Sequence, residues 1–348
     1  NNYMSEKEVL RFIELVKNRI ATLICGNDNS LKNDLINIFN NYVNVKIGDP
    51  ADNINFAAYT GSSIKHRFDS EGNLFVQTGK INVGIPLPPA RGNLNFNGWM
   101  VDVHHELFHA FTKILSGEKK CQRNGNIYYV PNGGKISIFL NENGNLKNKG
   151  DVPSSVLINE LITDMIAYCC TYETFDLIFN SHGLDVINQK YGHYNGYFEL
   201  FQFGLVLYHA FANFEPNYDH IVENGRGIFD NKYSGSNLYY NDILYGVMKN
   251  PSHINTQFVK YSTEEEYEKL NDSCQKILSD FSNNGRKVND AEIKKAMEII
   301  RTFFNNKMNY FKKEGQISLD IINDLENRFE LQYSKAQKNY GQNGSFHR

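Results

Sequence analysis

His105-Glu106-Leu107-Phe108-His109 is an H-E-x-x-H pentapeptide, and its residue types and spacing describe one kind of chemistry. Histidines at i and i+4 share a helix face, so both imidazoles can reach one metal ion while the glutamate between them projects beside it. Zinc suits this geometry. A catalytic zinc takes three protein ligands and keeps a fourth position for water, whose pKa falls toward about 7. Glu106 can then take the proton of that water as it attacks a carbonyl carbon.

A third ligand must come from elsewhere, and the best candidate is Glu160 in Asn159-Glu160-Leu161-Ile162-Thr163-Asp164. Glu160 and Asp164 share a helix face inside the apolar run VLINELITDMIAY, so one can bind the metal while the other orients a ligating histidine. His104 precedes the motif by one residue and points about 100° away from it, which makes it a core or supporting residue rather than a ligand.

H-E-x-x-H followed by N-E-x-x-T-D on a second helix resembles the gluzincin branch of the zinc metallopeptidases, the thermolysin-like clan. The resemblance covers those two helices. It implies one zinc ion bound by His105, His109 and Glu160, with Glu106 as general base and Asp164 hydrogen-bonded to the first histidine. It also implies hydrolysis of peptide bonds in a peptide or protein substrate. Such enzymes usually carry a Tyr or His that donates to the oxyanion, a contribution of about 3 kcal/mol. The sequence does not single this donor out. Tyr191, His193, Tyr194 and Tyr197 form a polar, Gly-containing cluster soon after the ligand helix, from which Tyr194 and Tyr197 are the catalytic candidates; Tyr208, His209 and His220 lie further on. The stretch from His109 to Glu160 is longer than in thermolysin-like chains. A G-x-M-x-N exopeptidase signature and the metzincin continuation H-x-x-G-x-x-H are both absent. In the implied fold an extended substrate lies along a sheet edge upstream of the motif helix, for which residues 79–85 or 92–97 are the candidates, with a closed sheet strand as the equal alternative.

Regular elements must hold these residues in place. Residues 5–22 carry Leu10, Ile13, Val16 and Ile20 at helical spacing, with Ser5 and Glu8 as a capping box. A second helix is expected at 30–41. Short β-prone pieces from Val43 to Val83 predict a small sheet, ended by Pro86, Pro88 and Pro89. After Gly98 one apolar face runs through Trp99, Met100, Val103, Leu107, Ala110, Phe111 and Ile114, so the motif lies on an amphipathic helix that stops near Gly117. Between 121 and 150, NIYYV and KISIFL flank Pro131-Asn132-Gly133-Gly134 and predict a hairpin inserted between two helices, with a second turn signal at NENGN. Residues 153–180 and 197–214 read as helices, the latter apolar enough to require burial. Three charged amphipathic segments, 263–282, 290–313 and 318–339, predict a helical C-terminal module.

The expected fold class is therefore α+β: a zincin-like catalytic domain over 1–254 and the helical module over 255–348. Within the first, an α/β lobe (1–150) carries the motif helix and a helical lobe (151–254) carries the third ligand.

Composition narrows the function classes. With 36 Lys and Arg against 39 Asp and Glu, the net charge of −3 lacks the basic bias of a nucleic-acid binder. No apolar run approaches the length of a transmembrane helix. Five cysteines, an odd number without C-x-x-C spacing, indicate buried reduced thiols rather than disulfides or a thiolate metal site. The chain opens Asn1-Asn2-Tyr3 without an initiator Met, the expectation for a trimmed or a processed chain, and secretion ranks slightly ahead of the cytoplasm. Oligomeric state and compartment are undetermined. The reading is a zinc-dependent endopeptidase; the alternative is a catalytically inactive binding or scaffold protein with a structural zinc. Glu106 favours the enzyme, because a structural zinc needs no general base and takes a fourth protein ligand.

Overall fold

A computed structural model describes residues 2–25, 29–48, 59–68, 74–116, 118–123, 126–131, 137–140, 146–150, 153–173, 182–191, 196–211 and 260–341 apart from 316, together with 177 and 258. The architecture is mostly helical with a small mixed sheet, an α+β arrangement.

Helix α1 (Glu6–Cys25) starts at the expected capping box: Glu8 N–H donates to Ser5 Oγ and Ser5 N–H to Glu8 Oε1, each at 3.2 Å. Its buried stripe is Val9, Ile13, Val16 and Ile20, whereas Leu10 is 50% exposed. The expected face is thus rotated by one residue at its start, because Val9 keeps the four-residue step to Ile13 and Leu10 does not. Helix α2 (Asn29–Tyr42) leads directly into strand β1 (Val43–Gly48).

Strands β2 (Tyr59–Phe68) and β3 (Leu74–Pro86) complete the first part of the sheet. Strand β3 pairs parallel with β1, from Val43↔Ile81 to Gly48↔Pro86, and antiparallel with β2, from Tyr59↔Gly84 to Phe68↔Leu74. Residues 81–84 are therefore paired on both sides and offer no free edge to a substrate. The other candidate edge, 92–97, forms a turn and the start of helix α3 (Phe96–Ser116). Both expectations for the substrate strand are corrected on that ground.

The connection between the two ligand-bearing helices also differs from expectation. NIYYV lies in β5 (Asn126–Pro131), which pairs antiparallel with β4 (Glu118–Arg123), not with the KISIFL segment. The latter contributes β6 (Ser137–Leu140), paired with β7 (Leu146–Gly150). Two hairpins replace the predicted one. The pairing runs from Glu118↔Pro131 to Arg123↔Asn126, and the charged EKKCQR strand lacks the apolar alternation that would have announced it.

Helix α4 (Pro153–Thr171) is buried all round from Leu157 to Cys170 and ends earlier than expected, with Glu173 in the left-handed region at φ 54°. Helix α5 (Gly183–Tyr191), a 3-10 turn at Phe198–Leu200 and helix α6 (Phe201–Phe211) follow. Every residue of α6 is buried, and Gly204 allows close approach to α4, since a Cβ there would meet Met165 at 3.3 Å.

The C-terminal segments form α7 (Glu264–Asn283), α8 (Asp290–Glu314) and α9 (Leu319–Gly341). Thr263 Oγ1 caps α7, Asn289 caps α8, and Gly315 at φ 68° ends α8. These helices cover α4 and α6, and their apolar stripes join one continuous core with those of α1–α4. Each large apolar side chain so buried contributes about 1.5–3 kcal/mol relative to an exposed one.

Candidate metal centre

Helix α3 is fixed before any ligand is considered. Phe12 of α1 stacks on Trp99 at 5.3 Å, Phe39 of α2 stacks on Phe111 at 4.5 Å, and Trp99 Nε1 donates to Pro86 O at 2.9 Å. These contacts leave the His105–His109 face toward α4, whose Glu160 and Asp164 lie one turn apart on the facing side.

There the side chains converge. His105 Nε2 lies 3.0 Å from His109 Nε2 and 3.2 Å from Glu160 Oε2, while His109 Nε2 lies 3.1 Å from Glu160 Oε1. Ligands about 2.0–2.1 Å from a tetrahedral ion stand about 3.3 Å from one another, close to these separations. Two imidazole nitrogens and one carboxylate, all buried, are also the donor set that suits such an ion, so a metal fits the site. Among the described residues no other His, Cys, Asp or Glu joins this group.

The surrounding atoms orient the ligands. His105 Nδ1 donates to Asp164 Oδ1 at 2.9 Å, leaving Nε2 to face the cluster. Asp164 is itself held: the Tyr197 N–H donates to its Oδ2 at 2.8 Å. Gly196 makes this approach possible, with φ 91° and a position where a Cβ would stand 2.7 Å from Asp164 Oδ2. The Tyr197 ring lies against His105, centroids 6.2 Å apart, and the Glu160 and Asp164 charges act on its hydroxyl.

Charge follows this packing. Burial opposes charging His105, but the flanking Asp164 and Glu160 carboxylates outweigh it and raise its pKa well above the ordinary range. Burial prevails at His109, which is lowered despite Glu160. Glu160 is held well below the ordinary carboxylate range because the two imidazoles outweigh its burial. Burial first, then the Glu160 and Asp164 charges, push the Tyr197 phenol far up.

Of the residues read from the sequence, the fold brings His105, His109, Glu160, Asp164 and Tyr197 together. Glu106 is half-buried on the same turn of α3, and its charge reaches His109 and Tyr197. Tyr194, His193 and His220 lie outside the described residues. Tyr208 and His209 are buried in α6. His104 lies off the cluster, bound to Met100 O at 2.8 Å and 3.3 Å from Arg19 Nη1, and burial pushes its pKa down to about 4.

Three neighbours were not legible as site residues. Asp102, one turn before His105, is pushed up to about 7 by burial and the Asp164 charge; an acid inside the apolar run WMVDV was its only local signal. Gly196 and Arg286 carried none. Compared with protein families, curated proteins and solved structures, the chain matches none.

Proposed function

We propose that the chain is a zinc-dependent metalloendopeptidase of zincin type. The observation that carries this reading is the buried set of His105, His109 and Glu160, three ligands with no fourth among the described residues, and Glu106 on the same helical turn. A structural zinc is normally closed by four protein ligands, whereas a catalytic one leaves a position open.

A zinc ion held there supplies Lewis acidity, which lowers the pKa of water toward about 7 and polarises a carbonyl. His105 and His109 present their Nε2 atoms and Glu160 its carboxylate. Asp164 keeps the proton on His105 Nδ1 and so fixes the tautomer that leaves Nε2 free to ligate. Glu106 takes the proton of the attacking water and passes it to the leaving amine. Tyr197, kept protonated by burial, donates its hydroxyl to the oxyanion that forms at the scissile carbonyl. Tyr194 stands as a second candidate donor from the sequence alone.

The test compares wild type with Glu106→Gln on a protein digest, alongside metal analysis. The variant is expected to keep one zinc and lose about 2 to 4 orders of magnitude in turnover. Near-normal hydrolysis would exclude the water-activation role. The rival, a scaffold with a structural zinc, is separated by X-ray absorption on the zinc-loaded protein: a water oxygen in the fourth position supports the enzyme, a fourth side chain the scaffold.

A further inference from the structure

Between α7 and α8 the chain passes through Asn284-Gly285-Arg286, with Gly285 at φ 66° and Arg286, a residue with a side chain, at φ 64°. The turn is pinned from within. Arg286 N–H donates to Phe281 O at 3.1 Å, and Asp280 accepts from Asn284 Nδ2 at 3.0 Å and Asn289 Nδ2 at 2.6 Å. It holds the Arg286 side chain over a segment about ninety residues earlier, where the guanidinium donates to Gly196 O and to Glu199 Oε2, the latter at 2.7 Å.

Two routes lead from this guanidinium to one imidazole. The polar route runs through the Gly196–Tyr197 backbone, whose N–H holds Asp164, which holds His105 Nδ1. The second is a column of flat groups: the guanidinium sits 4.7 Å from the Phe281 centroid, Phe281 lies 5.6 Å from Tyr197, and Tyr197 lies 6.2 Å from His105, both ring pairs stacked. We propose that Arg286 is a positioning residue for the metal centre, clamping the Gly196–Glu199 segment so that Tyr197 and Asp164 fix the His105 imidazole. The inference rests on the metal-binding half of the function proposed above. It assigns the C-terminal helices a part in setting metal affinity from outside the ligand set.

The experiment measures zinc affinity by chelator competition, and the visible spectrum of the cobalt-substituted protein, for wild type, Arg286→Gln and Lys287→Gln, the last an exposed neighbour. Arg286→Gln is expected to weaken zinc binding about 10-fold, the lower end for loss of a ligand-orienting partner, and to shift the cobalt bands. Lys287→Gln should change neither. In an Asp164→Asn background the same Arg286→Gln change should cost less than in the wild type, because only the column of rings is left to transmit it. Arg286→Lys keeps the charge without the planar fork and should fall between Gln and wild type. Unchanged affinity and spectrum in Arg286→Gln, or an equal loss in the Asp164→Asn background, would overturn the proposal. If zinc binding responds as expected but no peptide is cleaved, only the peptidase reading falls; a wild-type chain that takes up no zinc ends both.

Discussion

The five clustered site residues occupy only two stretches of α3 and α4 and one position just before α6. Asp164 touches His105 and lies outside the proposed ligand set, so Asp164→Asn should leave the fold intact and weaken zinc affinity by about 10 to 100 fold, read by chelator competition. Asp102 makes a pH dependence. Its pKa rises from an ordinary 3.8 to about 7 in the native state, so between those values the folded chain holds a proton that the unfolded chain has lost. Stability of the metal-free protein should therefore contain a component present below about pH 4 and lost as pH rises through 7. Asp102→Asn should flatten that part of a melting-temperature profile; an unchanged slope would place the titration elsewhere. The ligands were readable because two i, i+4 pairs announce a shared helix face. Gly196 and Arg286 were not, since each meets the site only through tertiary contact and no local spacing records it.

At the scale of elements, the sequence foretold helices better than pairings. The stripes of α1, α3 and α7–α9 repeat every three to four residues and set each helix, apart from the single-residue shift at Leu10. Strand partners depend on register across the chain, so β5 went to a charged neighbour, β4, that showed no strand-like alternation. Gly196 tests the element that joins α5 to α6. Gly196→Ala must accept both a positive φ and a contact with Asp164 Oδ2, so it should lose at least about 1 kcal/mol in a denaturant titration and bind zinc more weakly. A variant as stable as wild type would show that the segment relaxes freely. Helices α4 and α7 also seclude thiols. Cys169, Cys170 and Cys274 are buried thiols that form no disulfide, and burial pushes Cys170 up to about 12. These three should resist alkylation at pH 8 in the native protein and react on unfolding, as mass spectrometry would show.

Over the whole molecule, the C-terminal helices are bound into the centre rather than appended to it. Gln202 of α6 donates to Gln332 of α9 at 2.8 Å, and the buried Lys307 of α8 donates to Ala210 O at 2.7 Å. Phe304 and Phe329 stack at 3.9 Å beneath them. Truncation after about residue 255 keeps His105, His109 and Glu160 but strips α4 and α6 of their cover. The shortened chain should therefore expose a large apolar surface and self-associate in analytical ultracentrifugation. A monomeric truncated form with wild-type stability would mean that α7–α9 fold apart from the rest.

Tyr340 lies at the last described turn of α9, and its hydroxyl donates to Glu199 O at 2.9 Å while accepting from Phe203 N–H at 3.2 Å. The backbone beside the Asp164 clamp is thus closed by a residue synthesised 141 positions later than the one it binds. Contacts this distant must await a large loop closure, so they form late in folding. A nascent chain can bring both histidines and Glu160 together well before it can enclose them. Enclosure of the His105, His109 and Glu160 cluster therefore waits on α9, and a chain arrested before that helix should exchange an added ion more readily than one that contains it.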